Sequence, residues 1–256
     1  MNYITFGKTD IGLEKEQNQD SFLLKRANTS LGEIAFAVLC DGMGGLEQGE
    51  VASSTVIKAF DSWFETMLPN LLKFGLSGKI LNQQWSNMIK NLNIQIENYG
   101  VSQNIELGTT VCAILLVNDK YYCINVGDSR AYKISDEGII QITKDQSLVQ
   151  RKIDQGLITK KQAEHDPDRS ILLQCIGSSP EVEPDFYTGS IVPNETYMLC
   201  SDGFRHEISS HEIHQMLAPS VITNIEQMEI NTKHLIDLNI QREETDNITT
   251  ILVRTY

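Results

Sequence analysis

No run of about 18 apolar residues occurs anywhere in the chain, so nothing in it reads as a membrane-crossing helix. The opening Met1-Asn2-Tyr3-Ile4-Thr5-Phe6 lacks the basic segment and apolar stretch of a secretory signal. Both absences lead to the expectation of a cytoplasmic protein. Cysteine is sparse and unpatterned: Cys40, Cys112, Cys123, Cys175 and Cys200 are odd in number, share no Cys-x-x-Cys spacing, and four of them lie in strand-like apolar runs. Reduced thiols packed in a core follow, not a disulfide framework. Basic charge is short as well. Against 34 Asp and Glu stand 21 Lys and Arg, a net charge of −13. That balance argues against a nucleic-acid surface, and its far field repels an anionic substrate. Phosphate would have to be received by bound cations and a few local basic groups. Repeats, low-complexity tracts and Pro/Gly-rich linkers are missing too, so residues 1–256 are expected to form one domain.

What is present is ordinary globular material, 41% apolar and 21% charged. Strand-like runs rich in β-branched and aromatic residues stand at Ile34–Cys40, Thr109–Val117, Tyr121–Val126, Arg130–Ile134, Tyr197–Cys200 and Ile248–Val253. Asn118-Asp119-Lys120 reads as a hairpin turn between two of them. Helical periodicity covers roughly 51–68 and 81–99, with further helices near 148–156, 210–217 and 225–238. Strands cluster with strands and helices arrive in blocks, which argues for antiparallel sheets covered by helices, an α+β arrangement. The least regular stretch, about 145–185, reads as an excursion from the sheets carrying short helices; such excursions serve function or are plain insertions.

The informative residues are aspartates at strand ends. Asp20 begins an apolar strand, Asp41 ends one, Asp128 follows Val126-Gly127, Asp202 follows Cys200-Ser201, and Asp246 precedes the last strand. Taken singly, each is explained by a turn or a helix cap. Gathered over one sheet edge, they would repel unless cations neutralised them. An all-oxygen set suits Mg²⁺ or Mn²⁺ and not Zn²⁺. In Asp41-Gly42-Met43-Gly44-Gly45 the glycines would allow a turn closed to residues with a Cβ, presenting the Gly42 carbonyl as another ligand. A structural turn and a phosphate-cradling loop are the alternatives, although the Gly-Lys-Ser/Thr ending of a nucleotide loop is missing.

Several strings occur in a fixed order: Gly12-x-x-Lys15-x-x-Asn18-Gln19-Asp20, Asp41-Gly42-Met43-Gly44-Gly45 with Gly49-Glu50 and Ala52-Ser53, and Gly108-Thr109-Thr110. Val126-Gly127-Asp128-Ser129-Arg130, Ser201-Asp202-Gly203 and Asp246-Asn247-Ile248-Thr249 complete the set. Within the excursion stand Asp145-Gln146-Ser147-Leu148, Gly156-x-Ile158-Thr159 and Ile176-Gly177. Over nearly its whole length the chain resembles the metal-dependent serine/threonine protein phosphatases of the type 2C (PPM) family in their compact bacterial form. The resemblance implies a four-layer α/β/β/α sandwich with two central, mostly antiparallel sheets flanked by helices and a dimetal centre at one end. It implies hydrolysis of phosphoserine and phosphothreonine in proteins, by water activated between two Mn²⁺ or Mg²⁺ ions and without a phospho-enzyme. Carried over by position, Asp41 bridges both ions and the Gly42 carbonyl binds one. Asp202 and Asp246 complete the other site, and Asp20 holds the cluster directly or through water. Asp128, with Asp202, serves a weaker third ion. Asn247 orients Asp246 or a metal-bound water. The partners implied are phosphoproteins made by a Ser/Thr kinase, met by a monomer that binds neither nucleic acid nor membrane.

Two positions depart from the family pattern. Lys15 stands where an Arg usually grips the substrate phosphate; it keeps the charge but not the planar fork. The alternative is that Lys15 is a solvated surface lysine and Arg26 or another side chain takes its role. His206 stands where relatives often have an acidic residue, open either to a proton-donor role toward the leaving alkoxide or to that of an ordinary loop histidine. Animal-type relatives carry a His after the Gly-Gly turn where this chain has Leu46. His211-x-x-His214 would share a helix face, and a solvated pair is the preferred reading. A cysteine-based phosphatase is disfavoured, since Cys123 and Arg130 are one residue too far apart for a phosphate loop. Two other classes compete: a non-catalytic interaction module of the same fold, whose mark would be a lost metal aspartate, and a hydrolase of small phosphate esters.

Overall fold

The computed structural model describes residues 1–44 and 48–256; Gly45 and Leu46, both named above, lie outside the described residues. Two five-stranded sheets dominate. The first runs β1 (Tyr3–Asp10), β12 (Ile248–Thr255), β11 (Thr196–Cys200), β8 (Arg130–Ser135), β9 (Gly138–Gln141) in spatial order. The second runs β10 (Asp185–Ser190), β7 (Lys120–Val126), β6 (Val111–Val117), β3 (Gly32–Cys40), β2 (Ser21–Thr29). Neighbours in both sheets pair antiparallel. A short ribbon joins β4 (Gly42–Gly44) to β5 (Leu107–Thr109).

Strand β3 shows why the layers stack. Ile34-Ala35-Phe36-Ala37-Val38-Leu39-Cys40 is an unbroken apolar run because both of its faces are buried. Phe36 and Val38 pack with Phe60 and Trp63 of α1 (Gly49–Thr66) and Trp85 of α3 (Gly78–Gln103). The small Ala35 and Ala37, with Leu39, pack instead with Tyr3, Tyr197, Leu199 and Ile251 of the other sheet. On that sheet's far side, Met198 and Leu252 meet Ile213 of α6 (Ser210–Leu217) and Met228 and Leu235 of α7 (Ile225–Gln241). Helices, sheet, sheet, helices: the expected four-layer sandwich is present.

The long helix expected over 51–68 is interrupted. It ends at Thr66, and α2 (Leu68–Phe74) starts with Pro69 in its first turn, where a missing N–H costs nothing. Asn118, in the left-handed region at φ 56°, closes the predicted hairpin between Val117 and Lys120. The excursion carries α4 (Leu148–Asp154), capped by Ser147, and α5 (Lys160–Ala163), opened by a Thr159/Gln162 capping box.

Sheet register assembles the functional end. Ser21 pairs with Cys40, Leu39 with Cys112, Val111 with Val126, and Cys200 with Thr250. The residue before β2, those after β3 and β7, those after β11 and those before β12 therefore emerge at one end of the sandwich.

Candidate metal and phosphate site

Asp41 is fixed by its backbone. Its N–H donates to the Thr110 hydroxyl (3.0 Å), and its carbonyl accepts from Thr110 N (2.9 Å) and Thr109 Oγ1 (2.9 Å). Gly42 follows, its N–H on the Gln19 carbonyl at 3.2 Å. A Cβ there would run into the backbone carbonyls of Gln19 and Gly49, so glycine is required by close approach of three chain segments. The expected reason, a backbone turn closed to other residues, is replaced by this crowding. Gly203 is under the same constraint: a Cβ on it would strike the Asn247 carbonyl, so the Asp202 and Asp246 turns touch with no side chain between them.

The five aspartates sense one another. Burial, followed by the charges of Asp20, Asp202, Asp128 and Asp246, pushes Asp41 well above the usual carboxylate range. Burial raises Asp20 to about 7, with Asp202 and Asp246 adding to it. Asp128 also reaches about 7 through burial and Asp202, against the pull of Arg205. Burial would raise Asp202 too, but the positive charges of His206 and Arg205 and the Gly203 N–H outweigh it and hold this carboxyl low. Lys15, in the loop between β1 and β2, reaches Asp246 Oδ1 at 2.9 Å. Burial alone would lower its pKa, yet Asp246 and the charges of Asp41 and Asp202 raise it.

The donor chemistry fits hard cations. Among the described residues, both oxygens of Asp20 and Oδ1 of Asp202 are buried without a hydrogen-bond partner, a costly state for a carboxylate and one that a divalent ion would relieve. Among the described residues, however, no three His, Cys, Asp or Glu side chains stand in position to cage an ion as they are now turned. Like-charge repulsion and the Lys15 contact act against such convergence.

The other sequence candidates divide. Arg26 points away, onto the Tyr3 carbonyl and toward Glu33, so it does not compete with Lys15. Asn247 does not spend its side chain on Asp246. Its Oδ1 accepts from Gln19 N (2.8 Å) and its Nδ2 donates to the Ile11 (2.9 Å) and Gln17 (3.3 Å) carbonyls, clamping the Lys15–Asp20 loop; only its backbone N–H reaches Asp246 Oδ1 (2.8 Å). His214 binds the Ser135 carbonyl at 2.9 Å, His211 is exposed, and the two form no site. His206 is no ordinary loop histidine: it lies between Asp202 and Glu244.

Sequence reasoning missed Arg205, whose Nη2 lies 3.2 Å from the Asp128 carbonyl, 3.5 Å from Asp128 Oδ2 and 3.8 Å from Asp145 Oδ2. Asp145 is itself gripped by Arg130 through two bonds of 2.7 and 2.6 Å. Gln146 ties the root of the excursion to Gly127 twice, through backbone N (3.0 Å) and side-chain Oε1 (2.9 Å). Arg130, Asp145 and Gln146 lie in quoted strings; for Arg205 no local signal exists.

The model of the family described as protein phosphatase 2C matches residues 13–237. A putative protein phosphatase 2C-type of Streptococcus pyogenes is 33% identical over 96% of this chain and 95% of its own. The crystal structure of the serine/threonine phosphatase Stp1 from Staphylococcus aureus superposes with a TM-score of 0.85 at 28% identity, covering 100% of this chain and 96% of that one. The catalytic domain of the serine/threonine protein phosphatase PstP, in complex with two manganese ions, does so with a TM-score of 0.76 at 27% identity over 98% and 97% of the chains.

Proposed function

The chain belongs to the protein phosphatase 2C family, and from that premise we propose that it removes phosphate from phosphoserine and phosphothreonine in proteins, at a centre of two Mn²⁺ or Mg²⁺ ions held by Asp20, Asp41, the Gly42 carbonyl, Asp202 and Asp246. The observation that carries this reading is the gathering of five buried or half-buried aspartates at one end of the sandwich, with carboxylate oxygens left unpartnered among the described residues. The two manganese ions of the PstP neighbour support the ion count. Divalent ions held by these residues would supply Lewis-acid activation of water and charge neutralisation for phosphoryl transfer.

The chain's own groups do the rest. Lys15 offers its ammonium to the substrate phosphate from the mouth of the carboxylate cluster, where its bond to Asp246 already places it. Asp128 is the carboxylate toward which a third ion would go, in competition with Arg205. Cys40, Cys112, Cys123 and Cys200 are buried, and burial pushes the Cys40, Cys112 and Cys200 thiols up, which makes them poor nucleophiles and supports direct attack by water without a phospho-enzyme. A non-catalytic module of the same fold is disfavoured, since every metal aspartate is present. The substrates would be products of a Ser/Thr kinase, and the compartment the cytoplasm.

The test is phosphate release from a phosphothreonine peptide. It is expected to require Mn²⁺ or Mg²⁺, to stop in EDTA and to vanish in Asp41→Ala. Full activity in EDTA would overturn the proposal.

A further inference from the structure

Glu244 and His206 have no part in the chemistry above, yet they touch both halves of the cluster. Glu244 is a carboxylate only 5% exposed. Its Oε1 accepts the backbone N–H groups of Thr245 and Asp246, each at 2.9 Å, and so caps the turn that delivers Asp246. Its Oε2 lies 3.4 Å from His206 Nδ1, while His206 Nε2 lies 3.4 Å from Asp202 Oδ2. One buried carboxylate therefore reaches the backbone of one aspartate directly and the side chain of the other through an imidazole. The Asp202 and Asp246 turns are already in van der Waals contact through Gly203, so a group that grips both turns decides how the two carboxylates face each other.

We propose that Glu244 and His206 are positioning residues that fix Asp202 and Asp246 relative to each other for cation binding. The inference rests on the metal-site reading above. It differs from the expected roles of His206, which were proton donor or bystander. Outer groups that orient ligands typically change metal affinity by about 10–100-fold when removed. Groups acting as one unit do so non-additively.

The experiment is calorimetric titration of the metal-stripped protein with Mn²⁺, beside steady-state turnover of a phosphothreonine peptide as a function of Mn²⁺. Glu244→Ala and His206→Ala are each expected to weaken Mn²⁺ binding by about 10–100-fold. Activity should recover at high Mn²⁺, with KM for the peptide unchanged at saturation. The double variant should lose less than the product of the two single losses. Glu244→Gln, which keeps an oxygen for the two N–H groups but lacks the charge facing His206, should fall between wild type and Glu244→Ala. It also serves if Glu244→Ala does not fold. Folded Glu244→Gln and His206→Ala proteins that bind Mn²⁺ like wild type would overturn the inference and leave the metal reading intact. Asp41→Ala binding Mn²⁺ like wild type would overturn the metal reading itself.

Discussion

Two clusters of buried charge lie side by side and are built on opposite rules. At the root of the excursion charge is matched: Asp145 is bonded twice by Arg130, supported by Gln141 at 3.0 Å and approached by Arg205, and its pKa is held low because these partners outweigh burial. Farther along the excursion, Lys152 closes on Asp166 (2.9 Å) and Asp168 (2.8 Å). At the neighbouring strand ends the carboxylates outnumber their cations. Among the described residues Asp20 has no hydrogen-bond partner for either oxygen, and Asp41, Asp20 and Asp128 are all pushed upward. A satisfied cluster holds a fold together; an unsatisfied one is retained only if something from outside completes it. That contrast separates scaffold from site here more sharply than burial, which the two clusters share.

The contrast breaks most visibly at Asp41. Asp41→Asn should lower kcat on a phosphothreonine peptide by a thousandfold or more, about 4 kcal/mol at the conversion of 1.36 kcal/mol per decade. In EDTA, however, the same variant should melt at a higher temperature than wild type, because it removes a carboxyl whose ionisation burial and the neighbouring aspartates disfavour. Metal should also stabilise the wild type, by about 2.7 kcal/mol at a hundredfold excess over Kd, and do so far less in the variant. Thermal melts with and without Mn²⁺ check both statements. Asp145→Ala should behave the other way round. Removing one partner of a buried pair costs about 3 kcal/mol, near the lower end for such pairs because Arg130 is partly exposed. The Tm should fall equally with and without metal. A melting point in EDTA that moves in the same direction for both variants would erase the distinction.

The same distinction governs what the sequence could reveal. Central strands such as β3 and β6 are apolar throughout because both faces are covered, and they are legible as runs. Of the two large sheets, the strands that escaped, β1, β9 and β10, are all edges, and the fourth edge, β2, was anticipated only at its start; β4 and most of β5, the short ribbon, escaped as well. Edge strands are half-exposed and mix Lys, Thr, Ser and Gly into the pattern, as in Asp185-Phe186-Tyr187-Thr188-Gly189-Ser190, so neither alternation nor a continuous run survives. At the site, the aspartates were legible because each sits in its own short string. Their partners were not. Arg205 meets Asp128 across 77 positions, and Glu244 meets His206 across the α6–α7 helices; only the fold brings such pairs together. Asn247 carries a related lesson, for its string is conspicuous while its side chain serves the Lys15–Asp20 loop rather than its neighbour.

Arg205 belongs to both clusters, facing Asp128 on one side and Asp145 on the other. It can therefore convert a matched charge into an unmatched one. Arg205→Met should leave Asp128 without its guanidinium and tighten any third Mn²⁺ ion there by about tenfold, or 1.4 kcal/mol. A third binding event stronger in the variant than in wild type, seen by calorimetry, is the expected result. Identical titrations of the two proteins would show that Arg205 does not guard Asp128.

Lys15 supplies the smallest effect, because its side chain is 41% exposed and its charge is shared with solvent. In the resting arrangement it offsets part of the carboxylate excess through Asp246 Oδ1. If bound ions took over that neutralisation, the ammonium would be free to face an incoming phosphate. A guanidinium at this position would add a planar, two-pronged grip on phosphate oxygens. Lys15→Arg should thus lower KM for a phosphopeptide by less than about tenfold, that is, by under 1.4 kcal/mol. Lys15→Ala should raise KM by a similar factor with kcat little changed. Both shifts should shrink as salt is raised, since an exposed charge is screened within about 10 Å at 0.1 M. A KM in Lys15→Arg equal to or above that of wild type would remove Lys15 from the phosphate-binding role and leave it a counter-charge to Asp246 alone.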